Sequence, residues 1–96
     1  MNSTPSKKNS TELAKTAKLL RVIAHPIRLQ ILALLDTEDS LTVTAISNSI
    51  TDSIEQSMLS HHLIKMKDNG VLKSRKVGKF NHYSIVDKKF LSFLNT

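Results

Sequence analysis

Hydrophobic spacing first changes its period at Gly70 in this chain of 96 residues. Before that glycine, apolar residues recur at intervals of three and four. After it, "VLKSRKV" and "FNHYSIV" are rich in Val, Ile, Phe and Tyr and are separated by Gly78 and Lys79. A helix returns a side chain to the same face every 3.6 residues and a strand every second residue, so neither pattern can adopt the other form without moving apolar groups into water. Glycine in first place of a two-residue loop supplies the positive φ of a tight hairpin. The chain is therefore predicted to be mainly α with a small β-hairpin that has a basic tip.

Four helical patterns precede the hairpin. The first begins at Asn9 or Ser10, where Glu12 is placed to complete a cap, and carries Leu13, Ala17, Leu20 and Ala24 at helical spacing. Leu19, Val22 and Ile23 widen its apolar surface beyond one stripe, which predicts a second contact surface. Pro26 suits the first turn of the next helix, "PIRLQILALLD", apolar nearly all round apart from Arg28 and Gln30 and so expected to be central and buried. "LTVTAISNSI" predicts a short helix capped by Thr42 or Thr44, with Val43, Ile46 and Ile50 on one side. Ser53 and Gln56 have capping-box spacing, and Leu59, Leu63 and Met66 form the inward stripe of a helix that stops at Asn69 and Gly70. The third and fourth helices, joined by a tight turn, form a helix-turn-helix pair. A last helix is expected in "DKKFLSFLN", capped by Asp87, with Phe90, Leu91 and Leu94 apolar. Residues 1–9 lack a hydrophobic period and are expected to be a disordered arm, leaving 10–96 as one domain.

Several functions are excluded by composition. The chain contains no cysteine, hence no disulfide, thiolate nucleophile or Cys-based zinc site. Its longest apolar runs, "ILALL" and "VIA", fall far short of the roughly 18 to 20 residues of a membrane span, and the N-terminal stretch lacks the apolar region of a signal peptide, so a cytoplasmic location is expected. The formal charge of +6 is concentrated in the second half: residues 1–52 carry six Lys/Arg against five Asp/Glu, and residues 53–96 carry eight against three. Lys65, Lys67, Lys73, Arg75, Lys76 and Lys79 fall in one span whose only acid is Asp68, a pattern suited to a polyanion and equally to a solvated surface.

The order α-α-α-α-β-β-α with a central helix-turn-helix is that of a winged helix. The segments "LLRVIAHPIRLQILALL", "LTVTAIS", "QSMLSHHLIKMKDNGVL" and "KVGKFNHYSI" also resemble the ArsR/SmtB-type bacterial transcriptional repressors, over about residues 12–94. The run from Gln56 through Gly70 to Tyr83 is the most specific part of the likeness. The resemblance implies a homodimer joined by the first and last helices, a fourth helix that enters the DNA major groove, and a hairpin that acts as a wing. Family members often place a basic residue and then an apolar one after "HHL". Here Ile64 precedes Lys65, which turns Ile64 outward and leaves Lys65 to snorkel from a partly buried position.

The adjacent histidines His61 and His62 diverge by about 100° on a helix, whereas a zinc pair wants i and i+3 or i+4. His61 is expected outward and His62 at the core edge. Ser60 beside His61 has no orienting acid, so no catalytic residue and no enzyme is expected. The thiolate site that the family places in its third helix corresponds here to Thr42, Val43 and Thr44, and the site across the terminal helices finds Asp87 but no histidine. Neither a metal site nor a cofactor is therefore expected.

These readings converge on a sequence-specific, dimeric DNA-binding transcriptional regulator, and the resemblance alone implies that it is a repressor, a homodimer on a palindromic operator in double-stranded DNA. Thr44, Gln56, Ser57, Ser60 and His61 are the expected contacts to bases and nearby phosphates. Lys65, Arg75, Lys76 and Lys79 are the expected contacts to backbone or minor groove. Leu19, Ile23, Phe90 and Leu94 are the expected dimer residues. Arginine is absent between Gln56 and Asn69, while Gln56 can pair with adenine, so A·T-rich half-sites are predicted. Two rival readings stay open: a winged-helix module that binds protein instead of DNA, and a DNA-binding sensor with an unfamiliar small-molecule pocket.

Overall fold

The computed structural model describes residues 9–89. Residues 1–8 of the expected arm, and Phe90 and Leu94 with most of the expected last helix, lie outside the described residues. Helix α1 spans Ser10–Ile23, α2 Pro26–Thr37, α3 Val43–Ser49 and α4 Gln56–Asp68; strands are β1 (Leu41–Thr42), β2 (Leu72–Val77) and β3 (Phe80–Ile85). Asn9 caps α1, its Oδ1 accepting from the Glu12 backbone N–H at 2.8 Å, and Glu12 lies in the first turn, where the helix dipole favours an acid. Pro26 opens α2, where its missing N–H leaves no bond unmade. None of the described helices is long and apolar enough to cross a membrane.

The antiparallel sheet has the order β1-β3-β2. Two-residue β1 is an addition to the hairpin that the sequence predicts; so short a strand leaves no alternation to detect. Thr42 serves both elements at this junction, pairing with His82 in the ladder while its Oγ1 accepts from Ala45 N at 3.2 Å and caps α3. Gly78 has φ +63 and Lys79 does not have positive φ, which is the type II′ pattern of a tight hairpin.

The core gathers Ile31, Leu32 and Leu35 from α2, Ile46 from α3, and Leu59, Leu63 and Met66 from α4, closed by Val71, Leu72, Tyr83 and Ile85. Each such side chain contributes about 1.5–3 kcal/mol by leaving water. Residues that pair across β2 and β3 share a face. Leu72, Ile85 and Tyr83 therefore turn inward together, while Lys73 with Ser84 and Arg75 with His82 turn outward.

Helix α4 ends in a Schellman motif. Gly70 N–H donates to Lys67 O at 3.0 Å and Val71 N–H to Met66 O at 2.9 Å, with Gly70 at φ +79 and Met66 and Val71 both in the core. The same Val71 carbonyl then accepts from Val86 N–H at 3.1 Å, so the stop of α4 also anchors the base of the wing.

Three details differ from the sequence reading. The capping box at Ser53 and Gln56 does not form: Glu55 is the cap residue, with no side-chain bond, and Gln56 is the first helical residue. The α3–α4 connection is a six-residue stretch, residues 50–55, that bends at Thr51 and Asp52, instead of a tight turn. Gln30 of α2 holds it, its Oε1 accepting from Thr51 N (3.3 Å) and Thr51 Oγ1 (3.2 Å) and its Nε2 donating to Asp52 Oδ2 at 3.1 Å. Ile23, expected at a dimer surface, is 2 % exposed within its own chain because it points into the core, and Leu19 is half-buried. The exposed apolar groups of α1 are Leu13 (55 %) and Leu20 (46 %).

Candidate nucleic-acid interface

Four inward residues fix the orientation of α4. Leu59, His62, Leu63 and Met66 are buried, so Ser57, His61, Ile64 and Lys65, which point away from them, are exposed, with Ser60 half-buried; Gln56, three residues before Leu59, is exposed as the first residue of the helix. Lys65 is thus more open than expected. At about 100° per residue it lies roughly 120° from Leu59 around the helix, on a flank that the core leaves open.

His62 is the polar member of the inward set. Its Nδ1 accepts from Arg28 Nε at 3.0 Å, and Arg28 Nη1 donates to Val22 O at 2.8 Å. One guanidinium therefore links the last turn of α1, the first turn of α2 and the middle of α4. His25 meets the same imidazole edge to face, with ring centroids 5.5 Å apart. Burial first, then the charge of Arg28, then His25 and His61 hold His62 below the ordinary imidazole value of 6.5. The neutral ring with its proton on Nε2 is the form that can accept from Arg28. His61, one residue on, is exposed and points away from the core.

At its N-terminal end α4 meets α3 and the wing. Thr42, Val43, Thr44, Gln56, Lys79, Phe80 and Asn81 line an open cleft of about 210 Å³. Three expected DNA contacts from distant parts of the sequence, Thr44, Gln56 and Lys79, are brought together there, and no carboxylate lines the cleft. Because Ser53 and Gln56 do not cap each other, the Gln56 amide is left for a ligand.

Arg75 and Lys76 are not brought together. Neighbours on a strand point to opposite faces: Arg75 goes outward opposite His82, and Lys76 follows Asn81 on the other face. Arg75 lines a separate groove of about 470 Å³ with Ser40, Lys73, Ser74, His82 and Ser84. Sequence reasoning missed Phe80 and Asn81 in the cleft and His82 and Ser84 in the groove, and placed Lys73 only in the basic span. A signal for them existed, since a two-residue loop at Gly78 and Lys79 sets the register that places His82 opposite Arg75. Among the described residues, no group of three or more His, Cys, Asp or Glu could hold a metal ion.

Residues 23–75 match a family model described as a helix-turn-helix domain. Over 94 residues, 98% of this chain and 77% of the relative, the sequence is 32% identical to the cadmium resistance transcriptional regulatory protein CadC of Listeria innocua. Over 77 residues, 80% of this chain and 75% of the relative, it is 39% identical to the transcriptional repressor PagR of Bacillus anthracis. The chain belongs to the ArsR/SmtB-type family of winged-helix transcriptional regulators. The regulator is accordingly a DNA-binding transcriptional repressor.

Solved structures agree. The crystal structure of PagR superposes with TM-score 0.78 at 34% identity, covering 91% of the regulator and 97% of PagR. The homodimeric winged helix-turn-helix DNA-binding domain of Mb0332 from Mycobacterium bovis shares the fold at TM-score 0.76 and 23% identity, covering 98% and 84%. CadC takes its name from cadmium resistance; in the regulator the third-helix positions carry hydroxyls, and Thr42 Oγ1 is engaged as the α3 cap.

Proposed function

We propose that the regulator acts in the cytoplasm as a homodimer that occupies a palindromic promoter operator. Its exposed α4 surface lies in the major groove of each half-site, and its wing follows the adjoining backbone. The observation that carries this reading is the acid-free cleft where Thr44, Gln56 and Lys79 converge beside the exposed row Ser57, His61 and Lys65. A groove about 12 Å wide admits a helix, and hydroxyl, amide and imidazole groups are of the right kind for base edges and phosphates.

Dimerisation is supported by Leu13 and Leu20, apolar and exposed on α1, together with the apolar residues Phe90 and Leu94 of the C-terminal segment. Two-fold symmetry then sets half-site centres about 10 base pairs apart or a multiple of that. Gln56 suits adenine, and Ile64, 47 % exposed, suits a thymine methyl, so the half-sites are A·T-rich under α4. Repression follows from excluding polymerase and involves no catalytic step.

Selection of bound sites from random DNA tests the reading. It should recover an imperfect palindrome with A·T-rich half-sites, bound with a steep salt dependence. G·C-dominated half-sites would refute the assignment of Gln56, and failure to enrich any sequence would favour a protein-binding module.

A further inference from the structure

We infer that Gln30 of α2 is a positioning residue for sequence readout: through Thr51 and Asp52 it sets where the first turn of α4, with Gln56 and Ser57, meets the DNA. It rests on the reading that α4 lies in the major groove, and adds a residue from a different helix that this reading does not use.

Two kinds of contact hold the connection between α3 and α4. Ile50 and Ile54 are half-buried against the core. Apolar burial is non-directional, so it fixes their depth but not the orientation of the residues between them. Gln30 supplies direction. Its Oε1 accepts from Thr51 N at 3.3 Å and from Thr51 Oγ1 at 3.2 Å, and its Nε2 donates to Asp52 Oδ2 at 3.1 Å. Hydrogen bonds weaken steeply out of alignment, so three of them on two adjacent residues define how the chain bends there. The start of α4 has no local substitute, because its cap residue Glu55 makes no side-chain bond. Gln56 follows Asp52 by four residues, and a change in the bend is passed on to it.

Surface polarity alone would not ask for this residue. Any long polar side chain keeps an exposed edge of α2 wet, whereas the contacts here need an acceptor and a donor on one group. Thr51 offers an N–H and a hydroxyl, and an ionised Asp52 only accepts. A carboxamide satisfies both at once. Glutamate in its place would set a carboxylate against Asp52, and lysine would have nothing to accept with. Stability gains little from these bonds, which are exposed to competing water. Readout gains more. A donor–acceptor distance that grows by about 1 Å leaves the hydrogen-bonding range, so a small shift of the first turn of α4 changes base discrimination while the fold survives.

The test compares the wild-type chain with Gln30→Ala, Gln30→Glu, Asp52→Asn and the pair Gln30→Glu with Asp52→Asn. The pair has the net charge of the wild type and restores the pattern with its donor reversed: the glutamate accepts from Thr51 as before and from the new asparagine amide. Affinities for the selected operator and for unrelated DNA are measured at one salt concentration, and amide spectra and urea melts report folding. A good bidentate base contact is worth about 5- to 150-fold in discrimination, which sets the ceiling. Gln30→Ala and Gln30→Glu should therefore lower the ratio of operator to unrelated affinity by about five- to tenfold, with folded spectra, and the pair should return it to within about twofold of the wild type. A lowered urea midpoint with an unchanged ratio would show a merely structural role and overturn the inference, as would failure of the pair to restore the ratio. Gln56→Ala separates this from the reading of Gln56. If Gln56→Ala relaxes one base pair of each half-site, Gln30→Ala should relax the same one; discrimination there that survives Gln30→Ala overturns the inference and leaves Gln56 as a reader. If Gln56→Ala relaxes nothing, the assignment of Gln56 fails, and the ratio with its restoration by the pair still decides Gln30.

Discussion

Arg28 joins three helices through one side chain, so its removal should loosen the seat of the recognition helix. In Arg28→Met the stem still fills its half-buried space, but His62 Nδ1 and Val22 O lose donors now at 3.0 and 2.8 Å. A hydrogen bond to a charged donor is worth about 1.5–3 kcal/mol, and water replaces part of that for a half-buried group, so the expected loss is about 2–4 kcal/mol. In a domain whose total stability is about 5–10 kcal/mol this lowers the urea midpoint by roughly 1–3 M. A double-mutant cycle with His62→Leu should return a coupling of about 1 kcal/mol or more, because the two residues share one bond. The pH dependence carries a sign. Since burial, Arg28, His25 and His61 hold His62 below 6.5, the unfolded chain binds a proton in that range that the folded chain does not. His62's contribution is complete above pH 6.5 and is lost as pH falls through the lower folded value, and His62→Leu should flatten that decline. Urea melts across pH measure all of this. A loss below about 0.5 kcal/mol for Arg28→Met with zero coupling would refute the linking role.

Other outcomes follow from single features of the fold. Gly70→Ala should cost about 1–2 kcal/mol in the same melts, an entirely conformational penalty, because φ is +79 and no atom lies within 4 Å of the added Cβ. Leu13→Asp with Leu20→Asp should yield monomers in sedimentation equilibrium with weakened operator binding; a stable double-variant dimer of full affinity would show that the exposed face of α1 is not the interface. Gln56→Ala should relax preference at one base pair per half-site, whereas Lys79→Ala should weaken all sequences alike and reduce the salt slope by about 1. One equivalent of zinc, cadmium or arsenite should leave the operator complex intact in a gel-shift assay, since Thr42 and Thr44 offer hydroxyls where thiolates would be needed. Stoichiometric release, blocked by replacing His25 or His82, would reveal a missed site.

Much of the architecture was legible because local rules agreed with it. Asn9 and Glu12 marked the start of α1, Pro26 that of α2, and Gly70 and Gly78 required positive φ at the two places where the chain changes form. The outward face of α4 could be read from the spacing of Leu59, Leu63 and Met66 alone. What failed were inferences that needed to know a neighbour. Ser53 and Gln56 have the spacing of a capping box, yet Gln30 anchors Thr51 and Asp52 from another helix and the helix begins without it. Ile23 looks like part of a wide apolar surface until the core is seen to absorb it.

The sequence by itself determined the elements and their inward faces, because helix caps, glycine turns and hydrophobic periods act over a few residues. Tertiary structure decided which polar groups meet. Thr44, Gln56 and Lys79 share a cleft, Arg28 holds His62, and His82 connects that cleft to a basic groove, since each of these contacts joins residues far apart in the chain. No local period encodes such pairs; they exist only once the apolar faces have been buried together and the strands have locked into register.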